Sequence, residues 1–227
     1  MATIGLLNEK PLHASLKKWY AAPGDQCEVT LEGYVIDLVH NNMLIEIQTA
    51  NFSSILTKLT HLLHSNRVRL VFPIAKECWI IKQPDRSVEK PSRRKSPKKG
   101  RIEDIFQYLV SIPHLLIHPN FSIEVIFIHE ENIRVRCKSP QRAWRKKGWR
   151  VEERRLLGVV GRRLFQKPMD MIGLLPANLE DEFTTKDLAK SLHITLTLAQ
   201  KMAYCLHKTH ILERVGKRGN SYVYSIA

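Results

Sequence analysis

The sequence is short of the features that announce several common chemistries. Its four cysteines, Cys27, Cys78, Cys137 and Cys205, each lie more than fifty residues from the next. That spacing excludes a CxxC pair and a tight disulfide framework, and it suits a reducing compartment. No window approaches the ~18 uninterrupted apolar residues of a membrane helix. The start "MATIGLLNEKPLH" has neither the basic n-region nor the long apolar core of a signal peptide. A cytoplasmic protein without a membrane partner is the expectation. No GxxxxGK[ST] phosphate loop, GxSxG elbow or HExxH pair occurs, which argues against an NTPase, an α/β-hydrolase or a zinc protease. No internal repeat is found.

Hydrophobic residues at 44% suffice for a globular core, and 227 residues allow one large domain or two small ones. Acidic residues are scarce only in the second part of the chain. Residues 1 to 85 hold eight basic and eight acidic side chains, so the whole formal charge of +14 lies beyond them. It is concentrated in "RSVEKPSRRKSPKKGR", from 86 to 101, and "RVRCKSPQRAWRKKGWRVEERR", from 134 to 155. Arg93, Arg94, Lys95, Lys98 and Lys99 in the first run, and Arg145, Lys146 and Lys147 in the second, are candidate phosphate contacts. Trp144 and Trp149 interleave the second run and suit stacking on bases or sugars. A solvated loop kept soluble by charge is the plainer reading of either run alone. Two runs together favour a polyanion.

Three segments follow from the patterning. Residues 1–85 alternate helix and strand signals. "NEKPLHASLKKWYA" predicts a helix with Asn8 as N-cap, Pro11 in the first turn, and Leu12, Leu16, Trp19 and Tyr20 on one face. "CEVTLEGYVIDLV" and "MLIEIQT" predict strands, and "NFSSILTKLTHLLHS" an amphipathic helix with Phe52, Ile55, Leu59, Leu62 and Leu63 inward. "VRLVFPI" and "CWIIKQ" predict two further strands. The basic segment 86–167 is expected to pack on this core: a connector, a helix over 102–112, a hairpin over 121–137, and a helix from Val151 to about Phe165. The fold class expected is α/β, an α+β mixed sheet with helices packed on it.

Residues 168–227 carry the clearest local motif. Thr184 and Asp187 form a capping box ahead of Leu188, Ala189 and Leu192. A short turn leads to a second helix capped by Thr195, with Leu198, Ala199, Met202, Ala203 and Leu206 apolar. "LERVGKRGNSYVYSI" predicts a hairpin with its loop at Gly216–Asn220. Two helices at a tight turn followed by a basic-tipped hairpin resemble a winged helix-turn-helix. That resemblance implies a second helix in the DNA major groove and a wing on the backbone. It would offer Thr197, Gln200, Lys201 and His207 from the helix, and Lys217 and Arg218 from the wing.

The stretch "GYVIDLVHNNMLIEIQTANF" poses a question of charge. Asn41-Asn42 suits a two-residue hairpin turn, and that register puts Asp37 directly across from Glu46. Like charges opposed on a sheet repel. A divalent cation such as Mg²⁺ between them would turn repulsion into a binding site. A longer loop would shift the register and leave both as solvent-face residues. Against that, Val35, Val39 and Leu44 share their face and make it apolar.

A helix with Glu9, a strand with Asp37, then Glu46-Ile47-Gln48 on the next strand, followed by a helix and more strands, resembles the PD-(D/E)XK nuclease superfamily. The resemblance covers residues 1 to about 83 and implies a restriction-endonuclease-like core and a metal-dependent phosphodiester hydrolase. Asp37 and Glu46 would hold Mg²⁺ or Mn²⁺, with Glu9 as a third acid. Gln48 stands where the family pattern has lysine and would position the attacking water; either the metal alone acidifies that water, or Lys58 on the following helix reaches the site to supply the missing charge. DNA is the expected partner, RNA is not distinguished by phosphate-directed charge, and a homodimer is an open partner. A DNA-binding protein or regulator with a degenerate nuclease core is the alternative. "EIQTANF", "RRKSPKKGR" and "VGKRGNSYVY" also resemble stretches of uncharacterised bacterial proteins. The i, i+3 pairs His61/His64 and His207/His210 lack a third metal ligand at a recognisable spacing, so each reads as helical surface.

Overall fold

Two short turns organise the sheet. In a computed structural model, which describes residues 9–83, 91–137 and 148–227, Asn41 and Asn42 both take positive φ, 45° and 61°. This is the backbone a two-residue hairpin needs to match the twist of its strands. It joins β2 (Tyr34–His40) to β3 (Met43–Ile47), with His40 facing Met43, Val39 facing Leu44 and Leu38 facing Ile45. The ladder ends at that pair, and Asp37 and Glu46 are the next residues on the two strands. A second tight turn at Glu32-Gly33, also at positive φ, folds β1 (Gln26–Leu31) antiparallel onto β2.

The chain then crosses over to a parallel neighbour. A 3-10 turn (Phe52–Ile55) and α2 (Leu56–Leu62) lead to β4 (Arg67–Gln83), which runs parallel to β3 from Met43/Arg67 to Ile47/Val71. Phe52, Leu59, Leu62 and Leu63 are fully buried, as their helical spacing predicts, while Ile55 is only half-buried. Phe52, Phe72 and Tyr108 pack as three rings with centroids 4.6–5.6 Å apart. The two buried rings, Phe52 and Phe72, each contribute about 1.5–3 kcal/mol by leaving water.

The fold is α+β, with a seven-stranded mixed sheet ordered β1-β2-β3-β4-β6-β7, β5 (Ser92–Lys95) pairing with β4, β6 spanning Phe121–Arg136 and β7 Trp149–Phe165. Two compact units interleave along the chain: Gly24–Phe72, Ile102–Val125 and Arg163–Ala227 make one, and Met1–Pro23, Pro73–Arg101 and Ile126–Arg162 the other. The long strands β4, β6 and β7 pass through both.

The sequence expectations need correction at several places. The first is β4, one strand of 17 residues rather than two. Its Pro73 lies beyond the end of the β3 ladder, where the missing N–H costs no bond to that neighbour. Second, β6 is a single strand, not a hairpin. Glu130, Glu131 and Asn132 keep negative φ, and Asn132 spends its amide on Glu130 Oε1 (2.8 Å) and Cys78 Sγ (3.0 Å) rather than on a turn. Third, the segment from Val151 to Phe165 is strand β7, not a helix. Gly158 and Gly161 cost a helix about 1 kcal/mol each, and Val159-Val160 favours a strand. Fourth, α1 (Pro11–Tyr20) starts with Lys10 at the N-cap, without a side-chain cap; Asn8 lies outside the described residues. Its buried face is Leu12 and Leu16, while Trp19 is exposed. Over 102–112 only Ile102–Ile105 (3-10) and α3 (Phe106–Leu109) are helical.

The C-terminal segment forms as its capping residues dictate. Thr184 Oγ1 accepts from the N–H groups of Lys186 and Asp187, and Asp187 Oδ2 accepts from Thr184 N (2.8 Å), starting α4 (Thr185–Leu192). His193 ends it in the left-handed conformation, and Thr195 caps α5 (Leu196–Lys208). Leu198, Ala199, Met202, Ala203 and Leu206 are buried, with Cys205 beside them. A three-stranded sheet, β8 (Phe183–Thr184), β10 (Ser221–Ile226) and β9 (Leu212–Arg218), completes the segment; the turn is tighter than expected, at Gly219-Asn220. Among the described residues no helix is long and apolar enough to cross a membrane.

Candidate functional site

Asp37 and Glu46 are each fixed by the other's strand. The N–H of Ile47 donates to Asp37 Oδ2 at 2.8 Å, and the backbone N–H of Asp37 donates to the Glu46 carboxylate. Both sit on interior strands, and Glu46 is 5% exposed. The third group arrives from α2. Lys58 extends its Nζ to within 2.5 Å of Glu46 Oε1 and donates to Val35 O at 2.6 Å. That buried oxygen is therefore in direct ion-pair contact with the ammonium. Val35 itself is 51% exposed, so this end of the face is more open than the apolar pattern suggests.

The electrostatics follow from this crowding. Burial is the main cause that raises the Glu46 carboxyl to about 7, and the negative charge of Asp37 adds to it; Lys58 and the Asp37 amide pull the other way without cancelling them. A carboxyl poised near neutrality, beside a second carboxylate and a lysine, is a combination met at reacting sites as well as in ion-pair networks.

Gln48 follows on the same strand face as Glu46, and its Nε2 donates to Asn51 O (3.2 Å) and Ser54 Oγ (3.3 Å). Its amide thereby holds the connection between β3 and the 3-10 turn that Asn51 caps. Glu9 belongs to the other unit and precedes α1 rather than lying within it. Its Oε1 is 2.6 Å from His13 Nδ1 and 2.8 Å from Lys17 Nζ.

Two adjacent carboxylates, one of them buried, fit a hard cation that completes its shell with water and phosphate oxygens, as Mg²⁺ and Mn²⁺ do. They do not fit a closed protein cage: among the described residues no three His, Cys, Asp or Glu side chains converge. Lys58 occupies part of the same space electrostatically, so a cation there would meet a competing positive charge.

The basic candidates fall in separate places. Arg93, Arg94 and Lys95 lie on β5, exposed. Arg93 and Lys95 flank the Trp79 ring at 5.2 and 5.3 Å, and they also pair with Glu131 (3.0 Å) and Glu77 (2.5 Å). Lys98 and Lys99 are exposed beyond the strand. Arg145, Lys146, Lys147 and Trp144 lie outside the described residues. On α5, Thr197 and Gln200 are exposed and Lys201 half-buried. At the hairpin tip Lys217 and Arg218 are exposed, Lys217 over Tyr222 (5.2 Å) and Arg218 3.9 Å from Asp187. His207 is not an exposed contact: its Nδ1 donates to Leu212 O at 3.0 Å and its ring meets Tyr224.

Sequence reasoning missed the caged tryptophan Trp79. A Trp in an alternating strand rich in cations was the available signal. Trp149 is caged likewise, by Lys82 (4.9 Å) and Arg136 (4.8 Å).

The chain belongs to the family described as "Domain of unknown function (DUF8091)", whose profile matches residues 10–166 and so takes in Asp37, Glu46, Gln48 and Lys58. A relative in Treponema pallidum (strain Nichols), named "Uncharacterized protein", is 28% identical over 229 residues, covering 98% of this chain and 87% of the relative. No solved structure matches the chain.

Proposed function

We propose that this protein is a metal-dependent DNA endonuclease of the PD-(D/E)XK kind, with residues 168–227 acting as a winged helix that delivers it to DNA. The observation that carries the proposal is the convergence of Asp37, buried Glu46 and Lys58 on two adjacent strands and the helix that follows them. The strand order β1-β2-β3-β4, with β3 and β4 parallel, supports it as well.

Bound Mg²⁺ or Mn²⁺ would polarise a phosphate oxygen and make a water acidic enough to attack. Asp37 and Glu46 are the carboxylates that would hold it. Lys58 offers the positive charge that Gln48 lacks, close enough to Glu46 to orient a reacting phosphate and offset charge developing on it. Gln48 Oε1 would orient the water while its Nε2 stays with Asn51 and Ser54. The exposed cations of β5 and the β9–β10 tip, with half-buried Lys201 of α5, would supply contacts to the phosphate backbone.

A second reading, a DNA-binding protein with a degenerate core, draws on Lys58 already compensating Glu46 and on the glutamine at 48. Cleavage of supercoiled and single-stranded DNA with Mg²⁺ or Mn²⁺, against a chelator control and Glu46→Gln, separates the two. Metal-dependent cutting that drops at least a hundredfold in Glu46→Gln supports the enzyme. Inert wild type that still shifts DNA supports the binding protein. RNA run in parallel reports the sugar.

A further inference from the structure

The large sheet carries two caged tryptophans, one on each face. In the unit formed by Met1–Pro23, Pro73–Arg101 and Ile126–Arg162, β4 and β5 pair with Trp79 opposite Lys95 and Lys82 opposite Ser92. Side chains alternate along a strand, so Glu77, Trp79, Arg93 and Lys95 share one face, and Cys78, Lys82 and Arg94 share the other. Strand β6 continues both sets. His129 meets the Trp79 ring and Glu131 pairs with Arg93 on the first face. Asn132 reaches Cys78 and Glu130 on the second, which puts Arg134 and Arg136 there as well. From β7, Trp149 sets its ring against Lys82 and Arg136 of that second face.

The surroundings of the two rings look alike, but their charges differ. On the Trp79 face both flanking cations are neutralised, Arg93 by Glu131 at 3.0 Å and Lys95 by Glu77 at 2.5 Å. On the Trp149 face the acid that β6 supplies is Glu130, which is 3% exposed and already taken by Arg154 at 2.7 Å. The acids of β7 are held by their own neighbours, Glu152 by Arg150 and Glu153 by Arg155. Lys82, Arg94, Arg134 and Arg136 have no carboxylate partner among the described residues. Four uncompensated cations around an indole ring ask for an anion with a flat apolar part.

We propose that the Trp149 face binds single-stranded nucleic acid, with an unpaired base stacked on Trp149 and the phosphates held by Lys82, Arg94, Arg134 and Arg136. A duplex keeps the flat sides of its bases inside the stack, so a ring on a sheet face meets only unpaired bases. Arg136 is exposed, and its planar guanidinium can cover the far side of the base or swing to a phosphate. An acidic peptide would match the charges and leave the ring without a partner. The inference rests on the nucleic-acid part of the proposed function and needs neither its metal nor its winged helix. It also divides the β5 cations: Arg94 belongs to this face, while Arg93 and Lys95 are held by acids on the other.

Fluorescence anisotropy with labelled oligothymidine and oligouridine of about 12 nucleotides, using the full chain in chelator, tests it. Wild type binds at least one of them, which names the sugar. Trp149→Leu weakens that binding at least tenfold, the loss of one stacked base, and Trp79→Leu changes it less than twofold. Arg136→Gln, a change at an exposed residue, weakens it at least threefold and lowers its salt dependence. An abasic oligomer of the same length binds wild type at least tenfold more weakly and does not respond to Trp149→Leu. Duplex DNA binds Trp149→Leu as it binds wild type.

Circular dichroism and melting on the same samples establish that each variant is folded; if Trp149→Leu is not, an unchanged affinity in Arg136→Gln overturns the proposal by itself. Wild type that binds duplex but neither single strand overturns this inference and leaves the proposed function standing, whereas wild type that binds no nucleic acid overturns both. Equal losses in Trp149→Leu and Trp79→Leu, or polyglutamate that displaces the oligomer as readily per charge as unlabelled oligomer does, would overturn it too.

Discussion

Glu46 and Glu9 are the same residue type, each within 3 Å of a lysine ammonium, and their carboxyls move in opposite directions. At Glu46 burial and the neighbouring Asp37 outweigh Lys58, and the carboxyl rises to about 7. At Glu9 burial also pushes upward, but the hydrogen bonds and charges of Lys17 and His13 together overcome it, and the carboxyl falls below its ordinary value. A single lysine stabilises a carboxylate at a wet surface, yet it does not offset the loss of water for a buried one with a second acid beside it. The first arrangement suits a site that waits for more positive charge. The second is a local tie at the start of a helix.

The sharpest way to break the contrast is to remove the lysine at the buried site. Lys58→Met is expected to destabilise the protein by about 3 kcal/mol at pH 8, where Glu46 must either stay charged without its partner or take up a proton. The loss should shrink toward pH 5, where Glu46 carries its proton. Urea unfolding in metal-free buffer at the two pH values measures both.

A smaller effect comes from Glu46→Gln, which tests the linkage. A carboxyl raised from 4.5 to about 7 binds its proton more tightly in the folded than in the unfolded chain. Its contribution is fully present below pH 4.5 and is lost as pH rises through 7, at a cost of a few kcal/mol. The glutamine variant should therefore lose less stability than wild type between pH 5 and 8. Parallel thermal melts across that range read the difference.

The smallest effect is at the surface. Glu9→Gln should cost at most ~1 kcal/mol at pH 7 after screening by solvent. For a lowered carboxyl the sign reverses: the stabilisation is present above 4.5 and is lost as pH falls through the lowered value. The difference between wild type and Glu9→Gln should vanish in acid, as urea midpoints at pH 7 and 3 would show.

The parts of this molecule that could be read from the sequence are those determined locally. Asn41-Asn42 admits the left-handed backbone of a tight turn, and that turn dictates the register that sets His40 against Met43 and Leu38 against Ile45. Thr184 and Asp187 cap α4 through bonds that span three residues. Lys58 is one helical turn before the buried Leu62, so its long side chain could be placed near the strands but its partner could not be named in advance. Segments whose state depends on distant neighbours were harder. In β7, "VEERRLL" carries helix formers and charges at helical spacing, and the strand form reflects pairing with β6, including Arg154 to Glu130 at 2.7 Å. Pro73 reads as a strand breaker until it is known that the β3 ladder has already ended there.

Calorimetric titration of Mn²⁺ into wild type, Asp37→Asn and Glu46→Gln at pH 8 tests the proposed cation site at the crowded carboxylates. Wild type should bind saturably, and binding should weaken at least tenfold in each variant. Wild type that takes up no Mn²⁺, or binding unchanged in both variants, would contradict it.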